Sequence, residues 1–65
     1  MNIVLNGEVQ QTAAADLAAL LAEIELDEAV VATALNGDYV PAEDRAATAL
    51  RDGDRIEVLA PMQGG

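Results

Sequence analysis

Two Asn-Gly pairs, Asn6-Gly7 and Asn36-Gly37, each follow a short apolar run in this chain of 65 residues. A type I′ turn needs φ > 0 at both central residues, and Asn-Gly supplies that for two antiparallel strands joined by a two-residue loop. The chain is therefore expected to open as a hairpin. Met1 to Leu5 runs out, with Ile3 and Leu5 on one face, and Glu8 to Thr12 returns as a weaker strand with Val9 as its main apolar contact. A second hairpin runs from Ala29 to Leu35 and back through Asp38, Tyr39 and Val40, where Pro41 stops it because proline has no amide for the ladder.

Between the hairpins the period changes. Leu17, Leu20, Leu21 and Ile24 fall at i, i+3, i+4 and i+7, one face of a helix expected at about 17–25, with Asp16 as N-cap. Ala18, Ala19 and Ala22 fill its sides with the strongest helix former. Residues Glu43 to Leu50 suit one or two helical turns, with Ala46, Ala47 and Leu50 facing inward. Asp52-Gly53-Asp54 is a turn, and Arg55 to Ala60 a last strand with Ile56 and Val58 on one face, ended by Pro61. One helix between strands at both ends of the chain suits an α+β β-grasp fold. Its mixed sheet of four to five strands lies over one main helix with a short helical turn, the terminal strands central and parallel and the crossover right-handed. The expected division is a β-grasp domain over 1–61 and a flexible tail over 62–65 ending in Gly-Gly.

Composition narrows function by exclusion. The chain has no Cys and no His, so it holds no thiol nucleophile, no imidazole base, no disulfide and none of the usual soft or borderline metal ligands. A net charge of −9, with only 3 basic residues, all Arg, argues against nucleic acids and anionic membranes, which recruit Lys and Arg. The close carboxylates Asp52 and Asp54, or Asp27 and Glu28, lack the ordered set of oxygen ligands that calcium takes, and a solvated acidic surface is the expectation. No apolar run approaches the roughly 20 residues of a membrane span, and no basic stretch precedes an apolar one as in a signal peptide. A cytoplasmic protein with no bound metal or cofactor is expected.

Taken together, Asn2-Ile3-Val4-Leu5-Asn6-Gly7, Ala34-Leu35-Asn36-Gly37-Asp38-Tyr39-Val40-Pro41, Leu50-Arg51-Asp52-Gly53-Asp54-Arg55-Ile56-Glu57 and the final Gly64-Gly65 resemble the ThiS family along the whole chain. These are ubiquitin-like β-grasp sulfur carriers of thiamine thiazole biosynthesis. The resemblance implies a non-catalytic carrier whose Gly65 carboxylate is adenylated by a ThiF-like adenylyltransferase using ATP. A sulfur donor then converts it to a thiocarboxylate, from which a ThiG-like thiazole synthase takes the sulfur. Physical chemistry agrees with the choice of group. A carboxylate becomes a usable electrophile only with a good leaving group, and a Gly-Gly end has no Cβ to obstruct entry into a narrow site. The small subunit of molybdopterin synthase shares that tail chemistry, and a ubiquitin-like modifier would end in an isopeptide bond; a passive β-grasp interaction domain would need neither.

The tail comprises Met62, Gln63, Gly64 and Gly65, with Pro61 extending its root. Strict alternation in the last strand sends Leu59 to the outer face, near Met62. The pair is a candidate anchor for a partner groove; alternatively Leu59 closes the edge of the core. The absence of Lys leaves the Met1 amine as the chain's only amine near an activated carboxylate, and the acidic surface is suited to steering toward basic partner faces.

Overall fold

The computed structural model describes residues 1–60. Strand β1 (Asn2–Leu5) turns at Asn6-Gly7 into β2 (Glu8–Gln11), and helix α1 (Leu17–Glu23) follows. Strands β3 (Ala32–Leu35) and β4 (Asp38–Val40) form the second hairpin, a 3₁₀ helix covers Ala42–Ala47, and β5 (Arg55–Leu59) ends the described chain. All five strands join one sheet in the order β2-β1-β5-β3-β4. The two terminal strands are its parallel centre, Val4 opposite Arg55 and Leu5 opposite Ile56, while both hairpins and β3–β5 are antiparallel.

Both Asn-Gly pairs adopt the backbone their chemistry suits: φ is 49° and 86° at Asn6 and Gly7, and 51° and 89° at Asn36 and Gly37. Each turn also sets a register. Because two residues separate Leu5 from Glu8, Val4 lies opposite Val9 and Ile3 opposite Gln10. Ile3 is buried beneath the helix, so Val4 and Val9 share the other face and Val9 is 75% exposed. Val9 is therefore not an inward contact, and turn length alone carries that consequence, since a shift of one residue exchanges the two faces.

The helix buries Leu17, Leu20 and Leu21, with Ile24 packed beside them, against Ile3, Val40, Leu50, Ile56 and Val58. Asp16 caps it, its carboxylate accepting from the Ala19 amide at 2.8 Å. The helix stops at Glu23, slightly before the expected 25, in a Schellman turn. Glu25 takes φ 64°, its amide donates to Ala22 O, and Leu26 N donates to Leu21 O at 2.7 Å.

The second helical segment forms as the expected short helical turns, but presents a different face. It is a 3₁₀ helix begun after Pro41, and three residues per turn shift the face it presents. Ala46 and Ala47 are exposed, Leu50 alone of the expected trio is buried, and Arg45 turns toward the sheet instead. Its Nε donates to Thr33 Oγ1 at 3.0 Å and its Nη2 to the Val31 carbonyl at 2.7 Å, while Thr33, itself buried, donates to the Val40 carbonyl. Beyond Thr48 the chain returns along the start of the helix, Leu17 N donating to Thr48 O and Leu50 N to Ala15 O. No helix of the described residues is long and apolar enough to cross a membrane.

Candidate functional site

Of the residues singled out for function, Met62, Gln63, Gly64 and Gly65 lie outside the described residues, as does Pro61. The structure defines what leads to them: the end of β5 and the sheet face around it. Along β5, Ile56 and Val58 are buried and Arg55, Glu57 and Leu59 point away from the helix. Leu59 is 65% exposed, so it belongs to the outer face and does not close the core edge.

The neighbours of Leu59 follow from strand register. Ala32 lies opposite Leu59 and Ala34 opposite Glu57 on one side of β3, while Ala34 also faces Tyr39 of β4. Two alanines therefore form a low floor between Leu59 and Tyr39, and Tyr39 is 70% exposed. Ala32, Tyr39 and Leu59 line a shallow apolar depression with Val30, Val31 and Ala60 at the end of the sheet from which the chain runs on toward Gly65, and Ala34 joins the same three in the adjoining trough. Val30 adds a further open hydrophobe, 82% exposed. Large apolar side chains grouped on a face without a covering layer are what interaction surfaces use. Tyr39, Val30 and the two alanines were not singled out in the sequence. The available signal was parity: residues opposite Leu59 and Glu57 in an antiparallel pair share their face.

Two of the carboxylates, Asp52 and Asp54, are occupied structurally. Asp52 accepts from the Asn2 amide at 2.8 Å, and Asp54 from the Arg51 amide at 2.8 Å and from Asn36 Nδ2 at 3.1 Å. They tie the Asp52-Gly53-Asp54 turn to both hairpins, a role beyond that of a solvated charge.

Both turn asparagines do more than turn. Asn36 closes on Arg55, whose amide donates to its Oδ1 at 2.9 Å. Asn6 closes on Val58: the Val58 amide donates to Asn6 Oδ1 at 2.8 Å, and Asn6 Nδ2 donates to the Val58 carbonyl at 3.2 Å. Strand β5 is thus held at its start by one turn and near its end by the other.

The comparisons with known proteins bear on the fold and the family. The ThiS family model matches residues 3–65. The chain belongs to the ThiS family. Its fold superposes on the crystal structure of the thiamine biosynthesis protein ThiS from Geobacter metallireducens with a TM-score of 0.83, at 33% identity and with all of both chains covered. The solution structure of a thiamine biosynthesis protein from the same organism gives 0.80 at 32% identity, covering all of this chain and 88% of that one. In sequence the chain is 38% identical over 66 aligned positions to a thiazole synthase of Paramagnetospirillum magneticum. It spans about a fifth (20%) of the length of that curated relative. The ubiquitin-like β-grasp architecture expected from the residues is the one these ThiS structures share.

Proposed function

We propose that this ThiS-family chain is a non-catalytic sulfur carrier for thiamine thiazole formation in the cytoplasm, residues 1–61 acting as the docking body and 62–65 as the tail that carries the reacting group. The Gly65 carboxylate attacks the α-phosphate of ATP on a ThiF-like adenylyltransferase, giving an acyl-adenylate and pyrophosphate. A donor sulfur then adds to the acyl carbon and AMP leaves. With the donor sulfur at the sulfide level, the carbon–oxygen bond to AMP is replaced by a carbon–sulfur bond, and the one carboxylate oxygen that leaves with AMP has been exchanged for sulfur. The thiocarboxylate passes to a ThiG-like thiazole synthase, and the carrier returns to carboxylate. ATP is consumed by the partner, and the carrier itself needs no cofactor.

The observation that carries this reading is the family match reaching through Gly64-Gly65. The apolar trough of Leu59, Ala32, Ala34 and Tyr39 supports it from the other side, because it offers a partner a seat beside the strand that leads to the tail. Leu59, with Met62, anchors the carrier there, and Tyr39 widens the contact. Likeness to part of a thiazole synthase supports that enzyme as the sulfur acceptor.

The test is intact mass after incubation with ATP, an adenylating enzyme and a sulfur donor. A single oxygen-to-sulfur exchange that is lost when Gly65 is deleted is expected. Protein-sized adducts in place of that exchange would refute the carrier role.

A further inference from the structure

Strand β5 is gripped unequally along its length. The even-numbered residues, from Asp54 just before the strand onward, present their polar main-chain groups to β1: Val4 N donates to Asp54 O and Asn6 N to Ile56 O, each at 2.9 Å. The odd-numbered ones turn to the second hairpin, as Arg55 O does in accepting from Asn36 N at 2.7 Å. Val58 is the next even residue, yet β1 pairs no further than Leu5 opposite Ile56, because the chain leaves the sheet at Asn6 to make its φ > 0 turn. The Asn6 side chain fills the missing rung. Its Oδ1 takes the Val58 amide and its Nδ2 the Val58 carbonyl, so a primary amide pairs with both polar groups of the residue just before Leu59.

We infer that Asn6 is a positioning residue for the reaction at the C-terminus: its carboxamide fixes the direction in which the main chain leaves the sheet, and so presents the tail to the adenylating partner in register with the Leu59 trough. The inference rests on the sulfur-carrier reading and deepens it. On the β3 side, pairing continues to Ala32 opposite Leu59, so without Asn6 the end of β5 is held from one side only. A strand end anchored on one edge swings about that edge, and a misplacement of the order of 1 Å at a reacting atom is enough to lower turnover by up to about a hundredfold.

The turn itself provides a clean variant. Glycine accepts the φ of 49° found at residue 6, so Asn6→Gly keeps the turn and deletes the clamp. Asn36→Gly is its matched control. It too forfeits two side-chain hydrogen bonds, to Arg55 and Asp54 at the far end of β5, and keeps its turn. Two readouts decide. Val58 amide hydrogen exchange, corrected for global stability, should accelerate about tenfold or more in Asn6→Gly and remain near wild type in Asn36→Gly. In ATP–pyrophosphate exchange with an adenylating enzyme that accepts the wild-type chain, Asn6→Gly should lower kcat about tenfold with KM for the carrier unchanged, since the docking face is intact. Asn36→Gly should leave both constants alone. Unchanged Val58 protection in Asn6→Gly, or equal kcat losses in the two variants, would overturn the inference. If no ThiF-like adenylating enzyme accepts the wild-type chain, the carrier reading falls and the turnover role of Asn6 with it, and Val58 exchange would still decide whether the clamp exists.

Discussion

Leu59→Asp separates the docking surface from the core more sharply than any other single change. Leu59 is 65% exposed, so folding covers about a third of it. Full burial of a leucine side chain is worth about 1.5–3 kcal/mol, which puts the part already used in folding at about 0.5–1 kcal/mol. For a domain of this size that corresponds to a fall in Tm of about 2–8 °C. The remaining two thirds is unspent in the free protein, and a partner that covers it gains about 1–2 kcal/mol, with the desolvation of an aspartate added to the loss in the variant. Glu57 stands two residues earlier on the same face, so the new charge also meets a like one. The expected outcome is a fall of about tenfold to a hundredfold in kcat/KM for adenylation, carried by KM, with a cooperative melt close to wild type. Leu59→Ala should lie between the two. The assay pairs ATP–pyrophosphate exchange over a range of carrier concentrations with thermal unfolding followed by circular dichroism. A kcat/KM within about twofold of wild type would remove Leu59 from the interface, and a Tm loss well beyond 10 °C would return it to the core.

Three further outcomes follow from other parts of the molecule. Glu25 holds φ 64° at the end of α1, where a non-glycine residue is strained by roughly 1 kcal/mol; the chain entropy added by glycine takes back about half of that, so Glu25→Gly should raise Tm by about 2–4 °C, and a lower Tm would show that the Glu25 side chain contributes what the strain costs. Arg45→Ala removes the guanidinium that reaches Thr33 and the Val31 carbonyl and should destabilise by about 1–3 kcal/mol in urea unfolding, with Arg45→Lys restoring only part because a single ammonium cannot reproduce the fork; full recovery by Lys would reduce the role of Arg45 to charge alone. With a net charge of −9, the association rate with a basic adenylating partner should fall several-fold as ionic strength rises from low to about 0.2 M, whereas a salt-independent rate would remove electrostatic steering from the account.

The parts of the fold legible from sequence are those where a local rule and the global pattern coincide. Asn6-Gly7 and Asn36-Gly37 force hairpins because few other residues tolerate their backbone, and the Leu17, Leu20, Leu21 stripe has one period and one side to bury. Arg55 to Leu59 alternates so cleanly that the outward placement of Leu59 follows from counting. Where two periods compete the sequence is silent. Ala46 and Ala47 sit on an inward face of an α-helix but not of the 3₁₀ helix that forms after Pro41, and alanine's small apolar surface gives too little drive to select between them. Val9 shows a different limit: its hydrophobicity points inward, and the two-residue turn overrides it because register moves a whole strand at once.

The candidate site divides along the same line. Gly65 is proposed from a motif, and motifs are legible; the surface that delivers it depends on which side chains become neighbours across strands far apart in sequence. Ala32 and Ala34 carry no functional signal by type, yet their smallness opposite Leu59 and Tyr39 is what makes a trough out of a flat sheet. Asn6 carries a signal already claimed by the turn. A residue whose backbone conformation fully accounts for its identity conceals any second use of its side chain, and here that second use is the pairing with Val58. The same logic makes Asn superior to Gly at residue 6 although both satisfy the turn: glycine meets the φ requirement and leaves the Val58 amide and carbonyl without a protein partner on that side. An Asn6→Asp substitution sharpens the point. It keeps an acceptor for the Val58 amide and places a second oxygen against the Val58 carbonyl, so half the rung is retained and half is made repulsive. Its effect on Val58 exchange should equal or exceed that of Asn6→Gly if the two-point pairing is what holds the strand, and fall well below it if the single bond from the Val58 amide suffices.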